Sequence, residues 1–461
     1  MTRPKAARKE TGSNMDVKHT EIFESKSVPR AVAALTGPTV LSQVILLIYN
    51  LADTFFVGHT GDASQVAALT LCFPLFMMLS FTGNLFGIGA NSAISRSLGA
   101  GDEKRARRAS AFSFWGGMAA TALLITAMAI WMRPILYAIG ASDMTVDHTA
   151  GYLTWVVLIG GLPTEASFLI AHALRGEGRT KEASTGMMLG GAINIILDPV
   201  FIFLFRMGVS GAGLATMLSN CACLIYYIIV LHRVRGKTVL TVSPRFIKCD
   251  RPGEIILVGL PAAIVVFLGA TANIVMTRTL STYSDLAVAA YGVTQKFGIV
   301  TMNITVGITQ GVMPLIGYNY AAGNYPRVRS VVRCSVVILL VFVALMLGIC
   351  QLFPVALLRL FVSDAATVEL GAEFLTRWSV TLPAMAFVFL FNSVLQAMGK
   401  WVLPLLLTVL RQAGLFIPIM LILNRLVGLF GLIWAQPIAD AISLILGVLF
   451  YAVTVKKALK E

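Results

Sequence analysis

The sequence predicts an all-α integral membrane protein, with twelve transmembrane helices in two six-helix lobes related by a pseudo-two-fold axis along the membrane normal. Three observations carry that expectation. Of 461 residues, 57% are hydrophobic and only 13% are charged, too little charge to cover a soluble protein of this length. The apolar residues fall into twelve runs of about 20 residues or more, the length an α-helix needs to cross the hydrocarbon core. The chain also repeats itself. Ser97-Leu98-Gly99-Ala100-Gly101-Asp102 returns as Asn319-Tyr320-Ala321-Ala322-Gly323-Asn324, Arg175 through Gly178-Arg179 as Gln396 through Gly399-Lys400, and Gly213-Leu214 as Gly431-Leu432.

Taken in order, residues 1–28 are polar, of mixed charge and without the apolar stretch of a signal peptide, and read as a flexible cytoplasmic tail. Spans at 30–57, 65–95, 109–132, 149–172, 183–205 and 209–232 make a first lobe, 29–232. The basic segment 233–253 links it to a second lobe, 254–455, with spans at 254–280, 287–318, 330–353, 371–394, 401–424 and 428–455. A short tail, 456–461, follows. Helices are required because lipid offers the backbone no hydrogen-bond partners. Membrane strands are shorter than these runs and alternate strictly. Six is an even number, so both halves enter from the same side and form a parallel repeat, an arrangement common in transporters.

The net charge of +14 suggests nucleic-acid binding until it is placed along the chain. Of 36 Lys and Arg residues, 28 lie in the N-terminal tail, the even-numbered loops and the C-terminal tail. Arg133, Arg206, Arg278, Arg359 and Arg425 lie in odd-numbered loops, and Lys296, Arg377 and Arg411 within spans. Basic loops stay inside, so both termini are expected in the cytoplasm of a multi-pass inner-membrane protein, with no nucleic-acid partner. The glycine-containing basic turns after spans two and eight read as topogenic helix ends. Cys72, Cys221, Cys223, Cys334 and Cys350 fall in spans and Cys249 in the linker, so no disulfide is expected.

Ionisable side chains within spans are costly and call for a reason. Asp53 in span one and Asp198 in span five have matched depth, in the outer half of the bilayer. Each follows a polar residue by four positions, Tyr49 and Asn194, on the same helix face. Thr216, near the outer end of span six, reaches the same depth. Two carboxylates close together in a low-dielectric site cannot both stay charged; a proton or a cation must join them. Carboxylate, amide and hydroxyl oxygens suit a small hard cation, so Asp53, Asn194 and Asp198 become metal ligands if that cation is Na⁺. Pro199 frees the carbonyl of Ile195 beside Asp198, and Pro38 is expected to bend span one. Glu165 and His172 in span four read as a polar helix end near the headgroups, or else as a proton path or a cytoplasmic gate. Asp440, Arg411 and Lys296 fall at similar depth, as a neutralising pair or as cavity residues. Asn50, Met187, Met188 and the aromatics Phe73, Phe76, Phe81 and Phe86 are further candidates to line an adaptable pocket.

The stretches Gly37-Pro38, Tyr49-Asn50-Leu51-Ala52-Asp53-Thr54-Phe55-Phe56-Val57-Gly58, Gly99-Ala100-Gly101-Asp102, Leu174-Arg175-Gly176-Glu177-Gly178 and Asn194 with Asp198-Pro199 together resemble the multidrug and toxic compound extrusion (MATE) family, in its DinF-like and MepA-like branch. The likeness spans residues 30 to 455. It implies a V-shaped outward-open cavity and efflux of drugs in exchange for H⁺ or Na⁺. It also implies a cation site at Asp53, Asn194 and Asp198, with Tyr49 and Thr216 in auxiliary positions. The NorM-like branch adds acids on spans seven and ten. Here span seven has only Glu254 at its edge, and span ten reads Pro383-Ala384-Met385-Ala386.

The expected function is thus secondary active export of amphipathic, mostly cationic organic compounds by a monomer embedded in lipid, with no cofactor beyond the coupling ion. A flippase of lipid-linked precursors is the alternative, but such proteins have a strongly basic cavity. The loop after span two, Gly99 to Arg108, departs from the major-facilitator pattern. The cytoplasmic segments show no nucleophile motif, phosphate loop or metal cluster, so no enzyme activity is expected.

Overall fold

The computed structural model describes residues 17–60 and 63–458. All regular elements among them are helical. Ten helices are long and apolar enough to cross a membrane, and two further spans are bent pairs. In the first lobe the spans are Val28–Gly58, Ala63–Gly99, Glu103–Ala138, the pair Val146–Ile159 and Gly161–Gly176, Thr180–Leu204 and Val209–Arg233. In the second they are Pro252–Ser281, Asp285–Ala321, Tyr325–Leu352, the pair Ala365–Trp378 and Thr381–Ala397, Val402–Val427 and Leu429–Ala458.

Spans four and ten depart from the straight helices expected. They bend by 49° and 46°. Pro163 and Pro383 stand in the first turn of each second half. There a missing N–H is tolerated, whereas a continuous helix would need that donor. Span one, by contrast, passes through Pro38 as one unbroken helix.

The repeat has a geometric cause. Gly101 and Gly323 take φ of +77° and +73°, and Gly178 and Gly399 +85° and +77°. Only glycine adopts this conformation freely. Each closes a helix in the same way: Asp102 N donates to Ser97 O, Asn324 N to Asn319 O, Arg179 N to Leu174 O and Lys400 N to Leu395 O. These six-to-one bonds define the Schellman turn. Asp102 and Asn324 then cap the next helix by accepting from the amides of Arg105 and Arg327.

The lobes join at the end of the bundle that carries these basic turns, here called the basic end. A Cβ on Gly89 would lie 2.0 Å from the carbonyl of Ile255, one on Gly259 1.8 Å from that of Leu85, and one on Gly99 2.0 Å from that of Tyr318. Backbone therefore touches backbone across the seam. Ser92 donates to the carbonyl of Gln396 at 2.6 Å. Arg96 and Arg105 of the first lobe both pair with Glu254 of the second, Arg105 at 2.7 Å. The basic turn after span two is thus more than a topogenic signal: one of its arginines ties the lobes together.

The N-terminal segment corrects the expectation of a flexible tail. Val17–Glu24 is a helix, while residues 1–16 and 459–461 lie outside the described residues. Phe23 is fully buried and stacks on Tyr318, with ring centroids 4.6 Å apart. On its other side it packs so tightly on Gly178 that a Cβ there would sit 2.7 Å away. The Tyr318 hydroxyl donates to Glu24 at 2.7 Å, Asn319 donates to the Phe23 carbonyl at 3.2 Å, and Arg327 to the carbonyls of Ile22 and Lys26. The helix touches both lobes. The interlobe linker is also ordered: buried Glu177 accepts from Thr238 Oγ1, Val239 N and Arg179 Nε at 2.6, 2.8 and 2.9 Å.

Gly259→Val is expected to push the lobes apart at the basic end, at a cost of about 1–3 kcal/mol or more for overpacking. Spin labels at Lys104 and Ala322, both exposed, should report a longer distance than in the wild type. Phe23→Ala should lengthen it less, because it removes one stacked ring and leaves the glycine contacts in place.

Candidate functional site

Spans one, five and six bring four polar side chains together in the first lobe, near the end opposite the basic loops. Asp53 comes from span one, Asn194 and Asp198 from span five, and Thr216 from span six. All four are buried. Asn194 Nδ2 donates to Asp198 Oδ1 and to Thr216 Oγ1, each at 3.3 Å. The Asp53 carboxyl lies within hydrogen-bonding reach of Asp198 and Asn194. Tyr49, one turn before Asp53, packs over Gly191, where a Cβ would meet its ring at 3.5 Å. A larger residue at 191 would push span one away from span five.

The donors and acceptors do not balance. Asp53 Oδ1, Asn194 Oδ1 and Asp198 Oδ2 are buried with no hydrogen-bond partner in the protein. Among the described residues no Lys, Arg or His pairs with either carboxylate. Buried polar atoms are rarely left so, and a carboxylate without a cationic partner is costlier still. Three orphaned oxygens with one amide and one hydroxyl beside them form a ready-made seat for a proton or a small hard cation.

Directly after Asp198-Pro199 the helix widens into a π-turn, Val200–Leu204. This agrees with the freed carbonyl expected at Ile195, since proline cannot return the bond. π-Turns recur where helices carry function. A second one, Leu410–Phe416, lies in span eleven. There the chemistry is different. Arg411, within this turn, bonds Asp440 at 2.6 and 3.2 Å, and Asp440 also accepts from Gln436 at 2.9 Å and from Thr381. The Arg411–Asp440 pair is internally neutralised. Counted from the matching glycines 178 and 399, the positions of Asn194 and Asp198 hold Leu415 and Ile419. The second lobe repeats the glycine turn that starts the span, without the carboxylates, and its π-turn falls about ten residues nearer that turn.

Other sequence candidates separate from this cluster. Lys296 is exposed and stands apart from the Arg411–Asp440 pair. Asn50 is exposed and donates to the carbonyl of Leu46 at 2.7 Å. Met187 is half-buried, and its sulfur accepts from Arg175 Nη2 at 2.7 Å, a contact inside the first lobe. Phe86 is buried beside Gly116 and Phe112, in packing rather than along a pocket. The side chain of Phe73 lies outside the described residues. Glu165 and His172 are 2% and 0% exposed, so both are enclosed by protein, His172 four residues from the end of its helix. Tyr152 of span four, buried in the same lobe with its backbone against Gly213 of span six, was not among the candidates read from the sequence. Its span bends, so depth counted along a straight helix could not place it.

Fold and site together define a two-lobe membrane transporter, and comparison gives the family. The MatE family profile matches residues 38–200 and 261–422, and the chain belongs to that family. It is 31% identical over 425 residues to the multidrug export protein MepA of Staphylococcus aureus strain N315, covering 91% of this chain and 92% of that one. It is 30% identical over 422 residues to the protein of the same name from Staphylococcus saprophyticus, with the same coverage. Among solved structures, it superposes on a mutant of the Vibrio cholerae MATE transporter VcmN with a TM-score of 0.88 at 22% identity, over 94% of this chain and 99% of that one. A MOP superfamily transporter from Pyrococcus furiosus gives 0.90 at 23%, over 97% and 99%. These structural likenesses establish the two-lobe fold.

A cation that binds the folded site and not the unfolded chain must stabilise the protein, by about 2.7 kcal/mol at one hundred times its Kd. Purified wild type is therefore expected to melt several degrees higher when Na⁺ is added or the pH is lowered, and Asp53→Asn with Asp198→Asn to lose most of that increment. A double variant that keeps the full increment in a thermal-shift assay would place the cation elsewhere.

Proposed function

We propose that this chain is a multidrug exporter that expels amphipathic, mostly cationic organic compounds in exchange for H⁺ or Na⁺. In this reading the basic end and both termini face the cytoplasm, and the protein works as a monomer in the inner membrane. The observation that carries the reading is the unbalanced oxygen cluster of Asp53, Asn194 and Asp198. Relatives named as multidrug export proteins, aligned over nine-tenths of the chain, support the substrate class.

The physical cycle follows from the charge. With the carboxylates deprotonated, the first lobe carries negative potential that favours an organic cation. A proton or Na⁺ arriving from outside cancels it and releases the drug. Drug and cation then oppose each other through a coupling free energy, so each lowers the affinity of the other. The contacts joining the lobes lie at the basic end, which fits access from the opposite, outer side in this conformation. The flippase alternative needs unpaired basic residues in the cavity. Arg411 is neutralised by Asp440, and Arg377 bonds Glu373 at 2.9 Å.

Asp53→Asn and Asp198→Asn should each abolish active efflux from proteoliposomes while the protein stays folded. Asn194→Ala should cost about tenfold, as expected for one lost hydrogen-bonding ligand. Imposing H⁺ and Na⁺ gradients separately identifies the ion. Unimpaired efflux in either Asp variant would remove the coupling role, and a preference for anionic lipid-linked ligands would move the reading to the flippase.

Orientation has its own check. Cysteines at Asp143 should react with an impermeant reagent on intact cells, and those at Glu103 and Lys237 only after permeabilisation. The opposite pattern would reverse the direction of transport.

A further inference from the structure

A second group of buried polar atoms lies in the first lobe, along the contact between span two and the second half of span four. Glu165 is 2% exposed. Its Oε2 accepts from Thr82 Oγ1 at 3.2 Å, and Thr82 in turn bonds Thr121 at 3.0 Å. Its Oε1 is buried and unpartnered. Two turns along the same face comes His172, fully buried, with both ring nitrogens unpartnered. Farther toward the basic end is Asn91, fully buried, with its amide oxygen and nitrogen both unpartnered.

The backbone makes room for this file of groups. A Cβ on Gly117 would come within 3.0 Å of Glu165 Oε1, and one on Gly87 within 2.8 Å of the His172 ring. Gly176 passes Asn91 so closely that a Cβ would meet its Cα at 3.1 Å. Glycine is placed wherever a side chain would crowd the polar groups. Residues 165 and 172 are separated by about 10 Å along the helix axis, and the Phe168 ring, 4.8 Å from the His172 ring, lies between them; proton transfer between them needs one or two waters to pass beside that ring. An oxygen niche of one carboxyl and two hydroxyls is too sparse for a metal ion, which takes six or more oxygens when it is Ca²⁺ or Mg²⁺. A proton fits it.

We propose that this seam is a proton-transfer route, in which Glu165 holds the proton and His172 relays it between Glu165 and the basic end. The Glu165 carboxylic acid gives its proton through water to one imidazole nitrogen, leaving a carboxylate. The imidazolium then releases its other proton to water held by the Asn91 amide at the basic end, the neutral ring is restored, and the Glu165 carboxylate takes its next proton from water on its opposite side. Span four itself carries Asp147, His148, Tyr152 and Arg175; the titratable side chains packed around it include Cys72 and Arg96 on span two, the cluster Glu103 to Arg108 with Arg133 and Tyr137 on span three, and Lys181, Glu182 and Asp198 on span five. Cys221, Cys223, Tyr226 and Tyr227 lie on span six, and Lys296 and Tyr318 on span eight. None of these forms an ion pair with Glu165 among the described residues. Arg175 of span four turns its Nη2 to Met187 instead.

The inference rests on the reading of the chain as a cation-coupled exporter, and the experiment separates the two. Full-length protein is reconstituted with a pH-sensitive dye inside the vesicles, and drug-driven proton movement is measured per molecule of drug bound. Glu165→Gln and His172→Gln are expected to slow proton movement about 100-fold, the scale of a lost acid–base group, with drug affinity unchanged. Thr82→Val, which keeps the carboxyl and removes its donor, should slow it a few fold. A structural role would lower the yield of folded protein and leave proton movement per bound drug intact. Normal proton movement in both Gln variants overturns the route, as does a wild type that moves no protons with drug. Should Glu165→Gln fail to fold, His172→Gln and Thr82→Val decide. Asp53→Asn serves as the comparison: if it alone stops proton movement, the coupling site stands and the route falls.

Discussion

The structure depends on direct backbone contact between the lobes at the basic end. Glycines at 89, 99 and 259 let helices of opposite lobes approach until the carbonyls of Ile255, Tyr318 and Leu85 fill the space a side chain would take. In lipid there is no hydrophobic force to press helices together, because lipid tails are as apolar as leucine. Close packing and polar contacts must hold them instead. The Glu254 pairs with Arg96 and Arg105, and the bond from Ser92 to Gln396, supply the polar part. A seam built this way is either closed at van der Waals distance or open; a partly separated state keeps neither the packing nor the short bonds. Movement about it is therefore expected to be that of two stiff bodies.

The two lobes share helix geometry and differ in charge balance. Matching Schellman turns after spans two and eight and after spans four and ten show that one backbone plan was used twice. In the second lobe the buried carboxylate Asp440 meets Arg411, Gln436 and Thr381, and its oxygens are satisfied. In the first, Asp53 and Asp198 face each other with oxygens to spare. A balanced pair in low dielectric is a structural element; an unbalanced one is a place where something must arrive and leave. Under the proposed function, the mobile charge belongs to the first lobe.

Much of this was legible in the sequence, and the limits have physical reasons. The spans announce themselves because the bilayer enforces length and apolarity on every one. Asp53, Asn194, Asp198 and Thr216 could be grouped because depth in a straight helix follows from counting residues. Tyr152 and the enclosure of Glu165 were missed for the same reason: span four bends at Gly160 and Gly161, and counting fails across a bend. Pro163 and Pro383 held the available signal. Met187 has no feature in the sequence that says it meets Arg175 rather than a cavity. The helix at Val17–Glu24 is short and polar, and only its docking partners, some 300 positions later, give it a reason to be ordered.

That separation along the chain has a consequence for biosynthesis. The N-terminal helix leaves the ribosome first, yet the surfaces it settles on belong to Gly178, Tyr318, Asn319 and Arg327. It cannot reach its place until the eighth span has been inserted and the turn beyond it has formed. Throughout translation of the first lobe, Phe23 lacks the Tyr318 ring on which it stacks in the finished fold. Its burial marks the moment when the second lobe has arrived and met the first. A chain truncated before residue 318 would lack the ring that covers Phe23, and so could be told from the finished fold at that one aromatic side chain.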